Sequence, residues 1–82
     1  MNQNKLSVDI FGERYALKSN MDEQKVKLLA KMLDDYMRDV AKANHRLPVS
    51  KIAVLAALNI CDSYLKLEQD YQQLVEMIKE ES

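Results

Sequence analysis

The side chains in this 82-residue sequence that could do covalent or acid–base chemistry are few, and none stands beside a partner in sequence. There is one histidine, His45, one cysteine, Cys61, and one glycine, Gly12. A working nucleophile needs a neighbouring base and a group to orient that base. Cys61 instead lies in an apolar helical run, where a buried packing thiol is expected. His45 sits in a polar connection and is expected to be solvated. Gly12 has no companion glycines with which to cradle a phosphate, and its place between two alternating stretches predicts a hairpin turn. No pair of His or Cys residues offers a metal site. The carboxylates spread over helical surfaces. No catalytic residue, metal or cofactor is therefore expected, and an enzyme is the last class to consider.

The basic residues are the remaining candidates. Arg14 and Lys18 leave the expected hairpin on its non-apolar side. Lys42, Arg46 and Lys51 flank the expected connection between two helices. They form either a binding patch or scattered solubilising charge, and the sequence leaves both open. The twelve Lys and Arg residues face thirteen Asp and Glu residues, for a formal net charge of −1. That balance argues against nucleic acid or an anionic membrane surface as partner. A single Cys excludes an intramolecular disulfide. No run of apolar residues is long enough to span a bilayer and no signal peptide is visible, so a cytoplasmic location is expected.

The elements that must position these residues are led by the stretch from Ser50 to Glu81, which contains neither Gly nor Pro. Ala53, Ala57, Ile60, Tyr64, Leu67, Tyr71, Leu74 and Ile78 recur at alternating spacings of four and three. This heptad seam predicts one long helix with a coiled-coil stripe. A second row, Val54, Leu58, Cys61 and Leu65, flanks the seam in the first half only. Up to about Lys66 the helix is thus expected to be buried on most sides, and beyond it only the seam is apolar. Tyr64 and Tyr71 are read as seam packing with their hydroxyls at the rim. Asn59 interrupts the apolar run, either to fix helix register or to bond a nearby backbone group.

Such a helix would be about 48 Å long. A compact chain of this size has a radius of gyration of only about 12 Å. The far half should project, and its seam then needs another helix, most economically a second copy of the chain. A small chain gains stability the same way.

Earlier in the chain, Met1 to Asn4 is polar and expected to be loose. Leu6, Val8 and Ile10 alternate with polar residues, and Arg14 to Lys18 alternates again, which predicts two strands. A turn at Gly12-Glu13 would pair Ile10 with Tyr15 and Val8 with Leu17, and would place Phe11 opposite Arg14. Leu6, Val8, Ile10, Tyr15 and Leu17 share one face that must cover a helix, because a lone hairpin is marginal in water. Asp22 is the expected N-cap of a helix over Glu23 to Ala43, with Met21 and Val26 as a hydrophobic staple. Its apolar positions are Val26, Leu29, Ala30, Leu33, Met37, Val40 and Ala41. Lys31 with Asp35 and Asp34 with Arg38 lie one turn apart on its charged face. Pro48 breaks the chain, Ser50 is the expected cap of the long helix, and Val49 could staple onto Val54. The fold class is α+β: an N-terminal β-hairpin, one mid-length helix and one long C-terminal helix forming a coiled coil. Residues 1–65 are expected to form a globular head and residues 66–82 a projecting coiled-coil segment.

Two stretches resemble a known family. Val8-Asp9-Ile10-Phe11-Gly12 followed by Tyr15 resembles the opening hairpin of the bacterial cell-division protein family ZapA. The run from Lys51 to Ile60, with Asp62, Tyr64, Leu65, Lys66 and Leu67, resembles that family's second helix. The likeness extends from about Leu6 to Glu81. It implies a non-enzymatic cytoplasmic adaptor at mid-cell that binds the tubulin-like division GTPase FtsZ and cross-links its protofilaments. It also implies homodimers or homotetramers and a basic residue at the hairpin tip in contact with FtsZ. Here the position after Gly12 is Glu13, and Arg14 is the nearest substitute.

The leading expectation is therefore a homo-oligomeric cross-linker of FtsZ. Its candidate contacts are Arg14, Lys42, Arg46 and Lys51. Its candidate oligomer interface is Ile60, Tyr64, Leu67, Tyr71, Leu74 and Ile78. The alternatives are a coiled-coil module whose head binds another protein and, less in keeping with the charge, a nucleic-acid reader built on the hairpin.

Overall fold

A computed structural model describes residues 4–81. The chain runs β1 (Asn4–Ile10), β2 (Glu13–Ser19), α1 (Glu23–Ala43) and α2 (Val49–Glu81). The α+β class and both helices follow the sequence pattern. Of the expected loose start, residues 1–3 lie outside the described residues, and Asn4 already belongs to β1.

The strands pair antiparallel, Leu6 with Leu17, Val8 with Tyr15 and Ile10 with Glu13. The turn is Phe11-Gly12, one residue earlier than expected, and the cross-strand partners shift by two. Phe11 is therefore in the turn, and Arg14 faces Asp9. Both turn residues have positive φ, 51° at Phe11 and 83° at Gly12, as the twist-matched two-residue turn requires. Such a φ is uncommon for a bulky residue and needs outside support. A shift of two residues preserves the faces, so Leu6 and Val8 still point inward.

Leu6 and Val8 pack on Val26 and Ala30 of α1. Ile10 is half-buried against the same cluster, whereas the β2 part of the expected face is left uncovered by the described residues. Tyr15 is 41% and Leu17 39% exposed, because α1 packs beneath β1 and does not reach β2.

Helix α1 starts where its cap predicts. The Asp22 carboxylate accepts the backbone N–H groups of Gln24 and Lys25, satisfying donors that have no partner inside the helix. Val26, Ala30, Met37 and Val40 are buried, Leu33 and Ala41 are half-buried, and Leu29 stays exposed. At the far end the Asn44 side chain donates to the Val40 carbonyl at 3.0 Å. Helix α2 begins at Val49, and its cap lies two residues ahead of the expected Ser50. The Pro48 carbonyl accepts the N–H groups of Lys51 and Ile52, which puts Pro48 at the cap and Ser50 inside the first turn. Val49 and Val54, the expected staple, both remain exposed.

Met37 and Val40 of α1 meet Ile52 and Ala56 of α2 in a second core, on which Ile10 and Phe11 of the hairpin also rest. Farther along, the Tyr36 hydroxyl donates to Ser63 Oγ at 3.2 Å. One helix can cover only one stripe of another. The expectation that the first half of α2 is buried on most sides therefore fails for the single chain: Val54, Leu58 and Leu65 stand open, as do Ala57, Asn59 and Cys61. At 33 residues, α2 is about 50 Å long. The radius of gyration is 17.1 Å, well above the roughly 12 Å of a compact chain of this length.

A charge at Val8, which is 5% exposed, would lose its hydration against Val26 and Ala30. Val8→Asp is expected to cost about 3 kcal/mol or more, the range for an unpaired buried charge. A thermal melt checks this, and an unchanged midpoint would mean that the hairpin does not hold to α1.

Candidate functional site

Two kinds of surface result among the described residues: an apolar face without cover and a set of exposed charges around the hairpin and the α1–α2 junction. The apolar face lies along α2. Ile60 is half-buried, whereas Tyr64, Leu67, Tyr71, Leu74 and Ile78 are all more than half exposed. Where α1 and α2 diverge they leave an open apolar groove of about 280 Å³, lined in part by Leu29, Met32, Ile60, Tyr64 and Leu67. The seam and the groove are continuous through Ile60, Tyr64 and Leu67. The Tyr64 phenol hydrogen-bonds Glu68, and that bond and the nearby carboxylate raise its pKa above the usual value. Its ring thus lies on the apolar seam while its hydroxyl stays at the edge.

The basic candidates do not all gather. Lys42 in the last turn of α1, Arg46 in the connection and Lys51 in the first turn of α2 surround the α1–α2 junction, and all are exposed. Lys42 reaches Asp39 at 3.9 Å, a weak surface pair. Arg14 is held on the hairpin instead, with Nε 3.1 Å from Asp9 Oδ1. That hydrogen bond and the carboxylate charge raise its pKa.

A residue that sequence reasoning placed only in a surface ion pair does more. Asp34 accepts Arg38 Nε at 2.7 Å through one oxygen and the backbone N–H of Phe11 at 2.6 Å through the other. The Arg38 guanidinium lies 5.7 Å from the centre of the Phe11 ring, within cation–π range. Charge-assisted bonds of this length are the strong kind. They offset the cost of the left-handed Phe11 and fix the turn there rather than at Gly12-Glu13. The i,i+4 spacing of Asp34 and Arg38 was the visible signal. The bond to a residue 23 positions away was not.

With this geometry in place, the likeness to known proteins is specific. A family profile described as cell division protein ZapA matches residues 6–82. A cell division protein ZapA of Geobacillus sp. (strain WCH70) is 35% identical over 77 residues, covering 94% of this chain and 88% of its own length. That of Geobacillus kaustophilus is 38% identical over 77 residues, covering 94% and 85%.

The chain belongs to the ZapA cell-division protein family.

The solved structure of a ZapA mutant dimer from Geobacillus stearothermophilus is 34% identical and superposes with a TM-score of 0.71, covering 96% of this chain and 92% of that one. An unknown conserved bacterial protein from Pseudomonas aeruginosa PAO1 is 27% identical with a TM-score of 0.68, covering 94% and 90%. The ZapA resemblance of the hairpin and second helix is thus matched over almost the whole chain. Among the described residues no helix is long and apolar enough to cross a membrane.

The Asp34 contacts give a signed pH dependence. The Arg38 hydrogen bond, then the Phe11 N–H, hold the Asp34 carboxyl below its ordinary range. A carboxyl with a lowered folded-state pKa contributes stability above its unfolded value of about 3.9, and loses it as pH falls through the lower folded value. Asp34→Asn is expected to lower the melting midpoint at pH 7. The gap from the parent chain should narrow as both are taken below about pH 4. Melts across that interval check the sign, and a gap that widens in acid would contradict it.

Proposed function

We propose that this chain is a non-enzymatic division adaptor that self-associates through α2, binds FtsZ through its head and cross-links FtsZ protofilaments during assembly of the division ring. The observation that carries the reading is the open seam of Tyr64, Leu67, Tyr71, Leu74 and Ile78 in a chain of the ZapA family. An apolar stripe of heptad spacing suits another helix and little else. The Geobacillus stearothermophilus relative is described as a dimer. A like association here would cover the seam, the groove between α1 and α2, and the Val54, Leu58, Cys61 and Leu65 row. The open Tyr15 and Leu17 underside of β2 offers a further place for a partner's helix. In this reading residues 1–65 are the head and residues 66–82 the projecting segment.

The head contacts proposed for FtsZ are Arg14, Lys42, Arg46 and Lys51. Arg46 and Lys51, at the α1–α2 junction, are the first to test, whereas Arg14 must give up Asp9 to reach a partner. The mechanism is multivalency. Each head binds weakly, and joining several heads through α2 raises the local concentration of the second contact, so avidity exceeds single-head affinity where the geometry allows both. Contacts through exposed charges weaken with salt, since screening sets in over about 8 Å at physiological ionic strength. The site of action in this reading is the cytoplasmic face of mid-cell.

Two substitutions separate binding from bundling. Leu74→Glu should give a smaller species on size exclusion whose heads still co-sediment with FtsZ but no longer bundle its filaments. Arg46→Glu should leave the oligomer intact and reduce co-sedimentation. If Leu74→Glu falls apart and still bundles filaments normally, bridging does not depend on the seam. If the parent chain never sediments with FtsZ, the head serves another protein.

A further inference from the structure

The free edge of β1 is a feature the adaptor reading does not use. Among the described residues the sheet has two strands. In the two-residue hairpin closed by Ile10 and Glu13, alternate residues exchange ladder bonds. Leu6, Val8 and Ile10 turn their N–H and C=O groups toward β2. Lys5, Ser7 and Asp9 turn theirs the other way, into the open. Beside that edge lies an open groove of about 790 Å³ between β1 and α1. Ser7, Val8 and Asp9 line it from β1, and Lys27, Ala30, Lys31, Asp34 and Arg38 line it from α1, with Arg38 and Asp34 paired to each other.

We propose that this groove docks an extended acidic peptide segment of another protein, which adds to β1 as a third strand. Strand addition takes affinity from backbone hydrogen bonds and selectivity from alternate side chains. Here the outward groups of Lys5, Ser7 and Asp9 supply the hydrogen bonds. Side chains of the added strand that point toward α1 meet Ala30 and the Lys27 and Lys31 ammonium groups. Asp34 is already committed to Phe11 and Arg38, and Asp9 to Arg14, so the carboxylates of the groove are occupied. Lys27 and Lys31 are tied only by exposed pairs one turn away, to Glu23 at 3.6 Å and Asp35 at 3.2 Å. Pairs of that kind exchange partners at small cost.

A second copy of the chain is a poorer occupant. Pairing β1 with its own symmetry mate sets the two strands about 4.8 Å apart. Because α1 packs on β1 and not on β2, the pairing would also draw the two α1 helices together beneath the joined edges. Packed helices need about 8–10 Å. A single added strand brings no helix with it.

The test uses the full chain and, as probe, an acetylated and amidated octapeptide of alternating valine and glutamate. Amide hydrogen exchange is followed by NMR with and without peptide, and affinity is measured by titration at two salt concentrations. The expected result is slower exchange at the Lys5, Ser7 and Asp9 amides and affinity that falls with salt. Binding should be lost when proline replaces the two central peptide residues, and also when lysine replaces glutamate. Ser7→Pro removes an outward N–H without touching the ladder, the position where an edge strand tolerates proline, and should weaken binding by about tenfold or more. Lys27→Glu with Lys31→Glu should do the same on a surface that does not enter the core, so the result stands even if Ser7→Pro fails to fold. The proposal is overturned if the octapeptide does not bind at millimolar concentration, or if the proline-containing peptide binds equally. It is also overturned if the three amides are already protected without peptide, which would mean that a second copy or an internal contact occupies the edge.

Discussion

The rest of the molecule depends on a mismatch of lengths. Helix α2 has 33 residues, while α1 has 21 and each strand has seven. The shorter elements can shield one stripe of α2, and they do so at Ile52 and Ala56. They cannot shield the seam beyond, nor the row from Val54 to Leu65. Apolar area left in water forgoes the burial that drives folding and association, and a contiguous patch of this kind marks an interaction surface. The hairpin repeats the pattern on a smaller scale, with Leu6 and Val8 covered and Tyr15 and Leu17 left open.

Within the head, the mixed-charge cluster around Asp34 ties the elements together. The hairpin tip is strained at Phe11, and strain persists only where its surroundings determine it. Asp34 and Arg38 do so from α1, while Ile10 and Phe11 reach onto the core shared by α1 and α2. Hairpin, α1 and the start of α2 therefore form one body, with the basic residues of the α1–α2 junction at one end. Under the proposed cross-linking role, one packed body at the end of a long helix would hold two binding sites apart, whereas a floppy joint would let both settle on the same filament.

Much of this was legible from sequence. The bounds of α1 follow from its cap at Asp22 and its apolar period, and the ion pairs Lys31–Asp35 and Asp34–Arg38 appear as their spacing predicts. The hairpin faces survive because a register shift of two preserves parity. The turn itself was misplaced: the sequence reading puts Gly12 first in the turn, whereas with positive φ at both positions it is the second, and the local sequence gives no sign of a carboxylate on α1 waiting for the Phe11 N–H. The burial of Cys61 and its row was misjudged for a different reason. Periodicity reports that a face is apolar, but not which chain covers it. The clustering of Lys42, Arg46 and Lys51 follows from chain order alone, whereas the capture of Arg14 by Asp9 required the true register.

The claim on which the account rests is that α2 completes its packing against another copy of the chain. Its most direct test is the mass of the unmodified protein in solution, by sedimentation equilibrium or multi-angle light scattering, from millimolar down to low micromolar concentration. The account predicts a species of at least twice the 9.5 kDa chain mass throughout that range. A stable 9.5 kDa species at micromolar concentration, with α2 still helical by circular dichroism, would contradict it.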